Sequence, residues 1–461
     1  MESSNSEKIF SKITGTLFLF AVFSLVWRKY QGEFWDFYVP KMFELLILVI
    51  ALIVLIQFIF IKASRKKTFE VLLNNKVSLF VIAVLLLLGY LGTLQILKDP
   101  NWLSQKNEII LSWLRLIFCF GVLFLIQVLI RFKNKLIEHA FLVVSASPLI
   151  LWLAFIPKLT PHFIQTWRLG GDAGNANHLA VWIVLSILSS LSYFLFKNHK
   201  GRWISLATAF FSFPLLLWSS SRASWLSFLV ALVVLLIFFL RKKGWNKKNR
   251  LLIFAVIATI LISVNLGFIV LPENSRITVF ARNFAPFLDD KVHQQIIQDL
   301  REKKDTTPAV FIADNLKSLE LNTRYFSNGQ DRFFLWQKGS QMMLENPLGL
   351  GPGYYNIKPV AEIDGNQGPH SLWFEVGLTF GWLGLFVWLL FLGFVAKKVI
   401  DASRGADFVP AVVLVSFTHL IITSFFLDTF TMRPLWLIIA IILALDFTRP
   451  PLAATGNSNA N

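Results

Sequence analysis

Apolar residues fill this chain in long blocks broken by short polar stretches, and a single polar segment of about a hundred residues interrupts the rhythm. Twelve blocks lie near residues 9–27, 42–61, 77–97, 109–130, 140–157, 177–196, 203–218, 225–240, 251–271, 372–396, 409–427 and 435–447. They hold mostly about 16 to 25 residues, enough for a helix to cross a hydrocarbon core. The pattern predicts an all-α polytopic membrane protein of about twelve transmembrane helices with a large helical loop on its outer side. The first block differs from a cleaved signal peptide in carrying Lys12 and in lacking an A-x-A site before Arg28. It is expected to stay as a helix.

Composition strengthens this reading: the chain is 55% hydrophobic with a mean hydropathy of +0.61, values that belong to the membrane class. The single cysteine, Cys119, falls inside the fourth block, where it cannot form an internal disulfide and is expected to pack. The net charge of +17 sits in short loops beside the blocks, with its densest run at Arg241, Lys242, Lys243, Lys247, Lys248 and Arg250. With the N-terminus inside, about 22 Lys and Arg fall in inner segments and about nine in the short outer loops, so both termini are expected in the cytoplasm. Juxtamembrane basic clusters meet anionic headgroups. The expected basic partner is therefore membrane lipid, not nucleic acid.

The connection between Pro272 and Pro369 is too long for a structureless link and is expected to fold over the outer face. Residues 289–304 place Val292, Ile296, Ile297 and Leu300 on one helical stripe, and 310–321 hold a second short helix. A third runs from Arg332 to Glu345, with Asp331 as N-cap and Asn346-Pro347 as its stop. Its Phe333, Trp336, Met343 and Leu344 form a face to lay on the membrane domain. The expected organisation is transmembrane helices one to nine over residues 1–271, a loop subdomain over 272–371, helices ten to twelve over 372–447 and a disordered cytoplasmic tail over 448–461.

No P-loop, H-E-x-x-H, paired C-x-x-C or G-x-S-x-G occurs, so nucleotide hydrolysis, zinc proteolysis and serine-hydrolase chemistry lack their parts. Asp289-Asp290 is the nearest outer carboxylate pair, but acids favour a helix start in any case, and no metal site is expected. Arginine and histidine remain. Arg222, in Ser219-Ser220-Ser221-Arg222-Ala223-Ser224, sits between two tryptophan-capped blocks, where a charge is costly unless used. Its planar fork suits a phosphate; the alternative is an anchor that snorkels to headgroups. His370 follows the flexible approach Asp364 to Pro369 and opens a block in which Gly377, Gly381 and Gly384 permit close packing. It can accept a proton from an alcohol, or it can cap the helix or meet headgroups. Arg332 beside Asp331 reads as a surface ion pair if taken alone. Arg115 lies roughly 9 Å inside the fourth block and either snorkels or lines a cavity. Arg168 in an outer loop is a candidate substrate contact. His178 and His419 are weaker candidates, one near a block entrance and one inside a block where satisfied packing is the commoner fate.

Three motifs in this order resemble the bacterial O-antigen ligase and polymerase superfamily. They are Ser221-Arg222-Ala223-Ser224-Trp225-Leu226; Arg332-x-x-x-Trp336 followed by Glu345-Asn346-Pro347-Leu348-Gly349-Leu350-Gly351-Pro352-Gly353; and Pro369-His370-Ser371-Leu372 followed by Gly377 and Gly381-Trp382-Leu383-Gly384. The Asn175 to Ala180 segment is similar to a further, weaker signature. The resemblance implies a glycosyltransferase at the periplasmic face of a bacterial inner membrane, with the large loop periplasmic and no cofactor. Its donor would be a glycan on undecaprenyl diphosphate and its acceptor the lipid A-core. Carried over by motif, Arg222 and Arg332 would bind the diphosphate and His370 would orient or deprotonate the acceptor hydroxyl. Two arginines can stabilise the leaving diphosphate in place of a divalent cation, and direct displacement would invert the anomeric centre. The Pro347 to Gly353 run would be a shaped turn that lets the loop close over the sugar, or else a helix stop. Within the superfamily, O-antigen polymerases and protein O-glycosylating enzymes are the alternatives. A polyprenyl-glycan transporter is the alternative of another class, although a large outer loop and the lack of a repeated pair of broken helices speak against it.

Overall fold

The computed structural model describes residues 5–24, 42–103, 106–132, 135–149, 152, 176–219, 221–269, 335–354, 371–427, 430 and 432–445. Within them the chain is helical, and no strand occurs among the described residues. The helices are α1 (Asn5–Ser24), α2 (Met42–Phe60), α3 (Lys62–Asn74), α4 (Lys76–Ile96), α5 (Lys106–Phe132), α6 (Leu136–Ala146), α7 (Ala176–Phe196), α8 (Arg202–Ser219), α9 (Arg222–Lys243), α10 (Lys247–Ile269), α11 (335–345), α12 (Leu372–Ala402), α13 (Phe408–Ser424) and α14 (Arg433–Ala444). Six of them, α4, α5, α7, α9, α10 and α12, are long and apolar enough to cross a membrane, and a seventh span results if α2 and α3, bent by 116°, act as one. α1, α6, α13 and α14 are apolar but shorter. The loop helices expected over 289–304 and 310–321 and the tail over 448–461 lie outside the described residues.

The outside of the bundle is apolar. Leu48, Leu52 and Leu55 on α2, Phe254, Leu261 and Ile262 on α10 and Phe386, Leu389 and Leu390 on α12 are all exposed, a belt that suits lipid and not water. The centre is α7, whose apolar window is 94% buried against 22% for α10. α6, α8, α9 and α13 pack around α7. Hydrophobic burial provides no net drive between helices in lipid, so close approach and hydrogen bonds must hold them. Serines provide both. Ser186 Oγ of α7 donates to the Ser145 carbonyl of α6 at 2.7 Å, the Ser145 and Ser190 hydroxyls meet at 2.5 Å, and Trp182 Nε1 donates to Ser147 Oγ at 2.9 Å.

Pro214 sits inside α8. A proline removes the amide that would serve the carbonyl four residues back and crowds the turn before it. Both affected carbonyls find side chains instead: Ser263 Oγ of α10 donates to Phe210 O at 2.5 Å and Trp152 Nε1 to Phe211 O at 2.7 Å. In hydrocarbon these substitutes are obligatory.

One end of the bundle is basic. There Lys197 lies 3.0 Å from Glu138 and 3.6 Å from Asp407, tying the end of α7 to α6 and α13. Burial alone lowers the Lys197 pKa, but the Glu138 hydrogen bond and the two carboxylates outweigh it and raise the value above that of an ordinary lysine. Arg131 pairs with Glu70 at 2.9 Å, and Lys242 Nζ donates to the Arg404 carbonyl at 2.8 Å.

At the other end α12 is broken. Gly381 has φ 73 and ψ −176, a conformation open only to glycine, and it releases helical carbonyls from their usual partners. The segment 347–353 enters the break: Leu350 N donates to Leu378 O at 2.7 Å, Gly351 N to Thr379 O at 2.9 Å, and Trp382 N to Pro347 O at 3.1 Å. Side chains would prevent this. A Cβ at Gly349 would stand 2.5 Å from Gly381 N, and one at Gly92 of α4 would strike the Gly351 amide. The run Pro347 to Gly353, expected as a shaped turn or a helix stop, does follow the end of a helix and also interlocks α4 and α12. Gly377 does allow close packing as expected, facing the Met343 side chain of α11.

α11 ends at Glu345 as the Asn346-Pro347 stop requires. Its buried face is Leu335 and Met343, with Trp336 stacked 6.2 Å from Phe374 of α12. Leu344, expected on that face, is instead 71% exposed, because Leu335, Gly339 and Met343 follow the four-residue spacing and residue 344 is turned away from it.

Candidate functional site

α8 stops at Ser219 and α9 starts at Arg222, so the chain reverses within a few residues. Ser221 takes the extended N-cap conformation, but its hydroxyl makes no cap bond. It donates to Ser224 Oγ at 3.0 Å. Ser219 Oγ donates to Leu216 O at 2.6 Å and accepts from Ser221 N at 3.4 Å. A helix advances about 100° per residue, so Ser221, Ser224 and Ser227 share one face while Arg222 is swung off it. The three serines are buried and Arg222 is exposed.

The serine face continues into the bundle. Ser227 Oγ lies 2.9 Å from the Ser224 carbonyl and 2.8 Å from His419 Nδ1 of α13, so its one proton can turn to either acceptor. His419 Nε2 faces the Val181 carbonyl of α7 at 3.2 Å, and Thr423 Oγ1 lies 3.4 Å from Nδ1. A carbonyl only accepts, so the neutral ring carries its proton on Nε2 and Nδ1 accepts from a hydroxyl. His419 is thus packed and satisfied, the fate expected of it.

The second half of the site begins at Ser371, the buried N-cap of α12, directly after His370. Glu375, in the first turn of α12, accepts from Phe430 N at 3.3 Å and ties the turn ahead of α14 to this helix. Trp373 packs 5.2 Å from Phe425. α13 packs on both α9 and α12, so one helix spaces the Arg222 turn from the start of α12.

Of the expected site residues, Arg222 and Arg115 are described. Arg115 is exposed on α5 beside the exposed Leu111 and Leu114. His370, Arg332 and Arg168 lie outside the described residues, although the segments leading from Arg332 and His370, α11 and α12, pack on each other through Trp336 and Phe374. His178 is half-buried at the start of α7. Sequence reasoning missed Glu375 and the serine–histidine network. An acid inside an apolar block was signal enough for the first, since charge in such a block is rarely idle. Among the described residues no three His, Cys, Asp or Glu side chains form a metal-ligand group.

The family model for O-antigen ligase matches residues 207–389, from α8 through the start of α12 and past its break. Residues 207–389 are thus similar to the O-antigen ligase family. No curated protein matches the chain. The O-antigen ligase match covers the Arg222 turn, the glycine ribbon and the position of His370 within one segment. It supports a ligase- or polymerase-type glycosyltransferase acting on lipid-linked glycans, set in a multi-pass membrane protein.

Proposed function

We propose that this chain is a twelve-span O-antigen ligase of the bacterial inner membrane that transfers a glycan from undecaprenyl diphosphate to a hydroxyl of the lipid A-core. The end of the bundle bearing Arg222 faces the periplasm in this reading, and the segment 272–371 folds over it. The carrying observation is that the O-antigen ligase match includes Arg222, an exposed arginine opening α9 at the end away from the lysine clusters.

The acceptor oxygen attacks the anomeric carbon while the bond from that carbon to the diphosphate oxygen breaks. The electron pair leaves with the diphosphate, which remains on the prenyl chain. The acceptor proton passes to His370, since an imidazole is the side chain suited to act as a base at neutral pH. Arg222 and Arg332 meet the charge that grows on the leaving oxygens, the role a divalent cation plays elsewhere. Arg168 and Arg115 are further contacts to the donor. Displacement in one step inverts the anomeric configuration.

The test is His370→Ala in a cell that makes O-antigen, with the variant protein at normal level by immunoblot. The expected result is a bare lipid A-core with polymerised glycan retained on its prenyl carrier. A core bearing single repeat units would assign polymerase activity, and loss of glycan from a protein with intact lipopolysaccharide would assign protein glycosylation. A prenyl-linked unit stranded in the inner leaflet would assign transport.

A further inference from the structure

α9 has little to fix its rotation. From Phe228 to Leu240 every residue is apolar, and in lipid an all-apolar helix can turn about its axis at small cost. Directional contacts help to set the angle; Lys242 makes one at the basic end, and at the other end the buried polar side chains are Ser224 and Ser227, with Ser221 at the N-cap. Their bonds form one ladder: Ser221 hydroxyl to Ser224 hydroxyl, Ser227 hydroxyl to Ser224 carbonyl, and Ser227 hydroxyl against His419 Nδ1. His419 is held from its other side by the α7 backbone at Val181, and all four side chains are fully buried or within 1% of it. A rotation of α9 by one residue, about 100°, would break the Ser227–His419 contact, the rung that leaves α9, and carry Arg222 to another face.

We propose that His419 is a positioning residue for Arg222, fixing from the middle of α13, through Ser227, the rotation of α9 that presents the arginine at the end of the bundle. This inference deepens the proposed reaction and rests on that reading for its kinetic consequence, whereas its geometric content does not. His419 touches no substrate. It acts through the hydroxyl ladder, and the imidazole suits the task because its two nitrogens face opposite ways, one to α9 and one to α7.

The experiment uses the full-length protein, with a lipid-linked glycan as donor. His419→Leu, which cannot bond either partner, is expected to lower donor kcat/KM by about tenfold to a hundredfold, the usual cost of misplacing a group by about an ångström. The change should fall on the donor KM and leave the acceptor KM unchanged. Ser227→Ala, which cuts the ladder from the α9 side, should act in the same direction. His419→Gln, with a donor for Val181 and an acceptor for Ser227, should recover most of the loss. In an Arg222→Ala background His419→Leu should have no further effect; a full additional loss there, or equal rises in both KM values, would overturn the proposal.

A second readout separates this idea from the reaction itself. In Cys119→Ser protein, spin labels at Arg222→Cys and at the exposed position Leu383→Cys on α12 report the distance between the two helices. His419→Leu should shift or broaden that distance, and His419→Gln should not. An unchanged distribution overturns the positioning role whatever the activity. A shifted distribution together with full transfer by Arg222→Ala retains the positioning and rejects the catalytic reading of Arg222.

Discussion

The break at Gly381 yields the sharpest quantitative expectation. Replacing it by alanine forces a side chain into a backbone conformation that non-glycine residues adopt at a cost of about 1–3 kcal/mol. The added Cβ also overlaps the Pro347 carbonyl oxygen and comes within 2.6 Å of the Leu348 carbonyl carbon, both backbone atoms with no rotamer to escape by. The ribbon must withdraw or the helix must straighten, and either movement gives up most of the three hydrogen bonds between 347–351 and 378–382. At a net value of about 0.5–1.5 kcal/mol each, their loss brings the total to about 2–7 kcal/mol. Gly393, on the same helix, is the matched control: a Cβ there meets nothing within 4 Å, and alanine should stabilise the helix by up to about 1 kcal/mol. Thermal unfolding of the detergent-solubilised protein should show Gly381→Ala melting several degrees below wild type and Gly393→Ala at or above it. Because the residues before the break carry Glu375 and follow His370, transfer should fall with the Gly381 substitution as well. Equal melting temperatures for the two variants would mean that the ribbon is not locked into α12, and the account of Gly349, Gly351 and Gly381 would fail together.

Other outcomes follow from the same chemistry. Arg222→Lys should recover little of the transfer lost in Arg222→Ala, since an ammonium cannot offer the planar fork, and in vitro transfer should persist in chelator; strict magnesium dependence would reject the arginine clamp. Single cysteines at His370 and Arg404, in Cys119→Ser protein, should differ in labelling of spheroplasts by an impermeant thiol reagent, with position 370 reactive and 404 protected; the reverse pattern would reject the orientation. Lys197, whose pKa is raised, stabilises the fold fully below the ordinary lysine value and loses that contribution as pH rises through its folded value. The fall in melting temperature between neutral and strongly alkaline pH should therefore be smaller for Lys197→Met than for wild type.

The all-helical class was legible from the apolar blocks, although only six of the described helices, or seven with the bent pair, are long enough to span, and the Arg222 turn was legible because a charge at a block boundary stands out. The break in α12 was not. Gly381 reads as one of three small residues suited to close packing, and its backbone conformation depends on a ribbon some thirty residues earlier in the chain. His419 was read correctly as packed, but its link to Ser227 spans 192 residues, and no local pattern reports it. Leu344 shows the same limit on a smaller scale: periodicity gave α11 a buried face, while Gly339, which lets α11 approach Phe374, settled the rotation.

Arg222 also carries a cost that helps to identify its use. The N-terminus of a helix holds unpaired amides and a partial positive charge, so an acid there is favourable and an arginine is not, by about 0.3–1 kcal/mol. The usual relief, a serine cap, is withheld: Ser221 stands at the N-cap but spends its hydroxyl on Ser224. A fold selected for stability alone would place the opposite charge at this position. An anion bound to both the guanidinium and the first-turn amides reverses the balance, because positive charge and helix end then act together. Arg222→Glu is accordingly expected to transfer no glycan, and the wild type alone should gain thermal stability when lipid-linked diphosphate is added. Equal thermal gains of wild type and Arg222→Glu on addition of the diphosphate would make the arginine a structural anchor, the role in which its charge has nothing to do with the diphosphate.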